Sequence, residues 1–303
     1  MKTTTLTALL FGGLSIIGLG SCKKLSPAKQ ATNTNTSNQI NPKTTTTTAD
    51  YNFNDSDLTS AGWTKVFDDE FNTDGDFSNW YAYTGGVQNE LQLNQPANAV
   101  VTGGNLQIQA KQETATGPAT IGSTTQKTFN YTSASIVSGA TYSANSTTPK
   151  VRIVARVKLA SGYGLTNLFY SYGLNWPTNG QINFFQVEGN DTKRYETNYF
   201  YGTQAGQNLV TNSLYFNPVD QDLSSSFHVF MTEWTQNSIN YYIDGQLVEQ
   251  KSGGGYVPSL FGKAQNLALS LPIGGLYYDA SFSAANVQTG TMYVDYVKVF
   301  TSK

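Results

Sequence analysis

Three side-chain amides stand close together in one short segment of the chain. The segment reads GQINFFQVEGN from Gly180 to Asn190, and it places Gln181, Asn183 and Gln186 at offsets 0, 2 and 5. A carboxamide donates and accepts hydrogen bonds, but it has neither an acid proton nor an anionic oxygen. The apolar residues between the amides are typical of a strand. This pattern predicts a strand in which three amides alternate with bulky apolar residues.

Glu188 is the acid nearest to these amides in the sequence. It follows Gln186 by two residues, so on a regular strand the two side chains share a face. Because each residue of a strand rises about 3.3 Å, Glu188 lies about 6.6 Å further along. That distance is too long for Glu188 to take the place of the side chain at position 186, unless a bulge in the strand is shifted. Glu188 can still accept a hydrogen bond from a ligand hydroxyl.

Short alternating segments indicate the elements that must position these residues. They read NLQIQAKQE (105–113), VRIVARVKLA (151–160), INYYIDGQLVEQ (239–250) and TMYVDYVKVF (291–300). Asp244 and Gly245 separate two such runs, which predicts a hairpin with a type I′ turn. Many short strands over about 240 residues favour a single all-β domain, either a sandwich or a jelly roll. Such a domain binds ligands on a concave sheet face.

The composition excludes some classes of partner. The chain has 303 residues, a net charge of −2 and only 13% charged residues, so it has no basic field for nucleic acid. Its 19 Tyr and 16 Phe suit a β-rich protein that binds uncharged, partly apolar ligands such as sugars. Cys22 is the only cysteine, so the monomer can form no disulfide.

The first sixty residues indicate export and anchoring. Lys2 precedes an apolar run, Leu6 to Leu19, which is short for a membrane span, and Leu19-Gly-Ser-Cys22 has the form of a bacterial lipobox. The following Thr- and Asn-rich stretch cannot bury a core. We therefore predict a lipoprotein signal peptide (1–21), a lipidated Cys22 with a disordered tether (22–60), and one β-domain (61–303). An ordinary secretion signal with an incidental cysteine is the alternative.

The domain resembles glycoside hydrolase family 16, the laminarinase and β-glucanase group, nearly from end to end. The segments that carry the resemblance are VFDDEF (66–71), NELQLN (89–94), GGNLQIQA (103–110), YTSASI (131–136), RIVARVKL (152–159), FHVFMTEWTQNSINYYIDG (227–245) and MYVDYVKVF (292–300). The resemblance implies a concanavalin A-like β-jelly-roll sandwich with a concave ligand-binding cleft.

The active strand of that family reads Glu-x-Asp-x-x-Glu, which aligns with Gln181, Asn183 and Gln186. A bulge in the strand brings offset 5 to the same face as offsets 0 and 2. The resemblance implies a nucleophile at offset 0 and an acid/base at offset 5, as in retaining glycosidases. Because an amide can perform neither role, no catalytic residue is intact and the chain is predicted to be catalytically impaired.

The resemblance also implies further ligand and metal residues. We expect a saccharide to contact Asn89, Tyr170, Trp176, Glu188 and His228 in addition to the three amides. Core packing is the alternative for Tyr170 and Trp176, and a structural role is the alternative for His228. Asp295 matches the acid with which family members often hold a structural calcium ion, although a hard cation needs six or more oxygens. No other cofactor is expected.

These observations predict a monomeric lipoprotein of a bacterial cell envelope, at the outer membrane or the cell surface. It would bind a polysaccharide or oligosaccharide of β-glucan type without cutting it, and it would contact the membrane through its lipid. An active endo-β-glycosidase with Glu188 as displaced acid is one alternative. A structural or adhesin-like surface protein with a vestigial cleft is another.

Overall fold

Two large antiparallel sheets form the fold in a computed structural model that describes residues 44–210, 216–252, 255–275, 278 and 282–303. Among these residues one sheet has eight strands and the other has seven. The eight-stranded sheet consists, in spatial order, of β18 (Gln246–Ser252), β17 (Ser238–Ile243), β16 (His228–Trp234), β11 (Lys150–Lys158), β20 (Gly290–Ser302), β6 (Asn105–Ala110) and β5 (Ala99–Thr102), with β1 (Thr64–Asp69) also paired to β20.

The seven-stranded sheet consists, in spatial order, of β15 (Asn217–Pro218), β14 (Arg194–Phe200), β13 (Gln181–Glu188), β12 (Thr166–Tyr172), β19 (Gln265–Ser270), β10 (Ser135–Tyr142) and β2 (Trp80–Ala82). The smaller elements are β3 (Gly85–Gly86), β4 (Gln92–Asn94), β7 (Ala115–Pro118), β8 (Gln126–Phe129), β9 (Tyr131–Ser133), the helix α1 (Asp55–Ser60) and short 3₁₀ turns at Pro96–Asn98, Val257–Leu260 and Ala284–Asn286. This architecture confirms the predicted all-β sandwich.

The core lies between the two large sheets. Phe185 of β13 and Phe230 of β16 meet there with ring centroids 4.3 Å apart. Strand alternation places every second side chain of each sheet in this layer, and burying one such side chain contributes about 1.5–3 kcal/mol. The opposite face of the seven-stranded sheet points away from this core. We call that surface the cleft face.

The hairpin predicted at Asp244 and Gly245 is present between β17 and β18. Both residues have positive φ, 49° and 78°, as a type I′ turn requires. Ile243 and Gln246 are partners on either side of the turn. The prediction from this dipeptide is confirmed.

The tether predicted over residues 22–60 is wrong in its last part, because the chain is ordered against the domain from residue 44. Thr45 forms a bridge with Val219. The amide of Thr47 donates to Asp220 at 2.8 Å, and the amide of Thr48 donates to Asp244 at 2.8 Å. Residues 44–60 therefore belong to the folded unit, whereas the predicted signal peptide (1–21) and Cys22 lie outside the described residues.

A second, smaller apolar cluster attaches residues 44–60 to the domain. Leu58 of α1 and the nearby Trp63 pack on the outer side of the eight-stranded sheet, against Val154 and Phe300. Asn54 caps the helix by accepting from the amide of Ser56 at 3.1 Å. Within the described part of the chain, no helix is long and apolar enough to cross a bilayer.

Candidate functional site

The three amides lie on the cleft face because β13 contains a bulge. Along β12 the register passes from Phe169↔Phe185 directly to Tyr170↔Asn183, so Phe184 is an extra residue on β13. The rings of Phe184 and Phe185 both contact Phe169, at 4.7 and 6.0 Å between centroids. The bulge lets two consecutive phenylalanines enter the core and returns the following residue to the other face. The irregularity predicted from the spacing of the amides is therefore present.

The amides form a nearly buried polar floor. Gln181 donates from Nε2 to Oδ1 of Asn183 at 2.6 Å. Asn183 is 4% exposed and Gln186 is 5% exposed, whereas Gln181 is half-buried. Glu188 follows on the same face and is also half-buried. Gln181, Asn183, Gln186 and Glu188, the four residues of β13 predicted to contact a ligand, therefore lie together on the cleft face.

Sequence analysis missed Glu196, which lies opposite Gln186 on the neighbouring strand β14. Its carboxyl group accepts from Nδ2 of Asn198 at 3.1 Å through Oε1, while Oε2 is buried and has no hydrogen-bond partner. The residue is only 3% exposed. The one available signal was the alternation in RYETNYF, which puts Glu196 and Asn198 on one face with Phe200.

The environment of Glu196 disfavours its charged form. Burial raises the pKa of this carboxyl to about 7, and the charges of Glu249 and Glu188 act in the same direction. The hydrogen bond from Asn198 and the charge of Lys251 oppose the increase in pKa. Near neutral pH this carboxyl is therefore an acid that can hold or release a proton.

Tyrosines line the part of the cleft face beside the amides. Tyr170 and Tyr172 lie on β12. Their cross-strand partners on β13 are Asn183 and Gln181, respectively. The hydroxyls of Tyr172 and Tyr83 are 2.5 Å apart. Burial raises the pKa of Tyr170 to about 12, so its hydroxyl remains protonated and can donate a hydrogen bond. This position beside Asn183 is compatible with the predicted contact between Tyr170 and a saccharide.

A second acid, Glu90, approaches Tyr170 from the segment before β4. Its charge is among the influences that raise the pKa of Tyr170, and burial raises the pKa of Glu90 itself to about 7. Gln92 donates from Nε2 to Oε2 of Glu90 at 2.5 Å. The predicted ligand residue Asn89 directly precedes Glu90, is exposed, and occupies a turn with φ of 68°.

Trp176 lies in the β12–β13 connection at the Gln181 end of the cleft face. Its ring is 6.0 Å from that of Phe200, and a cis peptide bond joins it to Pro177. The ring is half-buried, and its Nε1 is buried without a hydrogen-bond partner. Trp176 can therefore offer part of its ring as an aromatic wall at this end, whereas its indole N–H is turned away from solvent.

The prediction that His228 lines the cleft is wrong. His228 belongs to β16 of the eight-stranded sheet, and its side chain has 0% exposure. Its Nδ1 lies 2.7 Å from Asp244, and its Nε2 lies 3.1 Å from the hydroxyl of Ser226. Ser, His and Asp thus lie in hydrogen-bonded order, but the buried imidazole gives a substrate no access to Nε2.

This cluster holds the start of the domain in place. Asp244 also accepts hydrogen bonds from the amides of Thr48 and Val229, each at 2.8 Å. Its carboxylate therefore joins the hairpin turn, β16 and the N-terminal segment. We assign His228 and Asp244 a structural role on this geometry.

Asp295, the predicted calcium ligand, takes part in an ion pair. It accepts from Nη1 of Arg156 at 2.7 Å, so its charge is already paired. The described residues contain no cluster of three or more acidic, His or Cys side chains that could hold a metal. A calcium ion at Asp295 stays a prediction, and it would need further oxygen ligands besides this carboxylate.

Comparison with known proteins agrees with this architecture. The sequence profile of glycosyl hydrolases family 16 matches residues 88–298. The chain belongs to family 16. The endo-beta-1,3-glucanase of Pyrococcus furiosus is one solved structure with this fold; it is 25% identical with a TM-score of 0.65, over 79% of this chain and 94% of that one. The β-jelly roll implied by the sequence is confirmed.

Two longer relatives share the same region. Clotting factor G alpha subunit of Tachypleus tridentatus is 27% identical over 252 residues, which cover 78% of this chain and 34% of the relative. Glucan endo-1,3-beta-glucosidase A1 of Niallia circulans is 25% identical over 269 residues, which cover 79% of this chain and 38% of the relative. The chain therefore spans little more than a third of the length of these two relatives.

Proposed function

We propose that this family 16 domain captures a β-glucan-like polysaccharide and leaves it intact. The observation that carries the proposal is the position of Gln181, Asn183 and Gln186 together on the cleft face, at the sequence offsets of the family pattern Glu-x-Asp-x-x-Glu. Without a carboxylate nucleophile no glycosyl ester can form, and an amide cannot protonate the departing sugar oxygen.

The same groups are suited to binding. Each amide has donors and acceptors for sugar hydroxyls, and the tyrosines Tyr170 and Tyr172 add aromatic surface with hydroxyl groups. Neutral amides also avoid the cost of burying several negative charges close together. The Pyrococcus relative is an endo-beta-1,3-glucanase, so laminarin is the first ligand to test.

The test combines binding and cleavage on one preparation. Affinity electrophoresis with laminarin, lichenan, agarose and carrageenan should give retardation in at least one gel, and a reducing-sugar assay should give no release. Asn183→Ala should weaken retardation about tenfold, because it removes a floor amide. Asn240→Ala on the eight-stranded sheet is the matched control and should leave retardation unchanged. Robust endo-cleavage by the pure protein would contradict the proposal.

A second candidate is slow hydrolysis by carboxyl groups other than the family's own. Glu196 lies opposite Gln186, and Glu188 is its diagonal neighbour on the same face. Glu196 could protonate a leaving oxygen while Glu188 activates a water. Glu188→Gln and Glu196→Gln would then each abolish reducing-sugar release. A pure binder would change only in affinity, and failure to bind any glycan on a broad array would favour a structural or adhesin-like role.

We also propose that the domain works as a monomeric lipoprotein anchored in a bacterial envelope through Cys22. The support is the Leu19-Gly-Ser-Cys22 junction and the polar stretch that follows it. In a bacterial host the wild-type chain should incorporate labelled fatty acid and sediment with membranes. Cys22→Ala should lose the label and become soluble, and labelling that persists in Cys22→Ala would contradict the anchor.

A further inference from the structure

We propose that Glu196 is a specificity-determining residue, which makes the cleft select uncharged saccharides over sulfated or uronic ones. The inference rests on the proposed function, since it concerns which glycan the same cleft accepts. It concerns a residue on β14, the strand next to the one that carries the family's catalytic pattern.

The position of Glu196 places its charge beside the ligand-binding floor. Glu196 is the cross-strand partner of Gln186. Asn198, two residues further along β14, is the cross-strand partner of Asn183. The four side chains therefore occupy one face, where a saccharide over the amides passes within a few ångströms of the carboxyl group. Glu196 need not touch the sugar, because a charge in a poorly hydrated site acts over such distances.

The charges around this position are mostly negative. The described strands of the seven-stranded sheet contain three charged residues, Glu188, Glu196 and Arg194. Arg194 stands at the start of β14 with its guanidinium half exposed, 3.8 Å from Asp191. Lys251, the cation that acts on Glu196, is bound to Glu249 at 2.6 Å. Glu90 adds a further acid near Tyr170.

Neutral and anionic sugars interact differently with the negative charges around Glu196. A sugar hydroxyl can donate to the unpartnered Oε2 of Glu196 after a small side-chain rotation, and this supplies a hydrogen bond that the free protein lacks. A sulfate or uronate carries negative charge and has no proton to donate at neutral pH. Like charges close together in a partly buried site repel each other strongly, so anionic saccharides should be excluded.

Protonation should relax this selection, because a neutral Glu196 no longer repels an anion. The groups that act on its titration are Asn198, Lys251, Glu249 and Glu188. With the pKa raised to about 7, the carboxyl is neutral at pH 5.5 and ionised at pH 8.5. Discrimination against anionic glycans should therefore increase as the pH rises through 7.

The experiment compares laminarin with laminarin sulfate, which share one backbone and differ in charge. At pH 8.5 we expect the wild type to prefer laminarin, and Glu196→Gln to reduce that preference about tenfold, which corresponds to about 1.4 kcal/mol. Glu249→Gln is the matched control. It removes a nearby charge on the eight-stranded sheet and should change the preference less than about twofold.

Each outcome decides one claim. An unchanged preference in folded Glu196→Gln, or an equal effect of Glu249→Gln, would overturn the role of Glu196 while leaving glycan binding intact. Absence of binding to laminarin and every other neutral glycan would overturn the proposed function itself. If Glu196→Gln does not fold, the wild type still provides a test: a preference that does not rise between pH 5.5 and 8.5 would overturn the inference.

Discussion

At the scale of single residues, the proposed function depends on the difference between a carboxyl group and a carboxamide. Gln181, Asn183 and Gln186 keep the shape of three acids and lack their proton and charge. Their neighbours on the cleft face retain groups suited to sugars, including Tyr170 and Tyr172. Under the proposed function, these three amides replace the groups that would perform a double displacement.

Restoring the acids should restore chemistry. The triple variant Gln181→Glu, Asn183→Asp, Gln186→Glu regains the nucleophile and acid/base on a strand whose bulge is already formed. We expect reducing-end release from a bound glucan at least 100-fold above the wild-type background, since general acid catalysis alone contributes about 10²–10⁴-fold. Failure of a folded, glucan-binding triple variant to cleave would mean that the amides are not the decisive change.

The pKa of Glu196 predicts how stability depends on pH. Its folded-state pKa of about 7 lies above the ordinary value of 4.5, so the folded protein binds this proton more tightly than the unfolded chain does. This contribution is full below pH 4.5 and is lost as pH rises to about 7, by on the order of 1–3 kcal/mol.

Glu196→Gln should remove that part of the pH dependence. The measurement is the free energy of unfolding by denaturant between pH 4.5 and 8. Asp57→Asn serves as the control, because Asp57 is an exposed acid of α1 that is not among the groups acting on the pKa of Glu196. If the wild type and Glu196→Gln lose stability in parallel over this range, the carboxyl does not titrate near 7.

Residue roles were predictable from sequence only where spacing or family pattern specified them. The amides and Glu188 were found in this way, and all four lie on one face of β13. Glu196 was not found, because its importance depends on pairing between two strands, which no local pattern encodes. His228 was misplaced because a family position near the cleft does not reveal that its ring is turned into a buried cluster with Asp244.

At the scale of elements, the bulge in β13 is the feature on which the site depends. A one-residue change of register moves every following side chain to the other face. Phe184 supplies the extra residue, and without it Gln186 would point into the core. The resemblance to the family predicted this irregularity, since offsets 0, 2 and 5 cannot share a face of a regular strand.

Deletion of Phe184 should therefore prevent stable folding or cost more than about 3 kcal/mol, because it buries polar side chains and exposes apolar ones. Deletion of Ser146, in an exposed loop, is the control and should cost about 1 kcal/mol. Thermal unfolding monitored by circular dichroism measures both. Native-like stability of the Phe184 deletion would contradict the register described here.

The N-terminal segment was the element that sequence reasoning placed wrongly. Residues 44–60 are mostly polar, but Tyr51, Phe53 and Leu58 reach the second apolar cluster. Their contacts depend on the finished eight-stranded sheet, so composition alone suggested a tether.

Limited proteolysis should separate the two interpretations of this segment. We expect cleavage before residue 44 and protection of 45–63, because backbone bonded to the domain is poorly accessible to a protease. Mass spectrometry of the stable fragment gives the boundary. Asp244→Ala, which removes the acceptor of Thr48, should increase cleavage in this region. Rapid cleavage within 45–63 of the wild type would contradict the packing.

At the scale of the whole molecule, the residues that stabilise the jelly roll and the residues proposed to bind the ligand lie on different surfaces. The core between the sheets and the cluster under α1 hold the fold, and the cleft face of the seven-stranded sheet carries the amides, acids and tyrosines. Alternation and hairpin signals made the all-β class predictable. The order of strands was not predictable from local sequence alone, because neighbours such as β11 and β20 are distant along the chain.

The most direct test of the account is to measure binding and chain length on one sample of wild-type protein with laminarin. Affinity electrophoresis or calorimetry gives the binding, and chromatography of the recovered glucan after prolonged incubation gives its length. The account predicts saturable binding with a glucan of unchanged length. Shortened glucan chains, or a covalent sugar adduct in the intact mass of the protein, would contradict it.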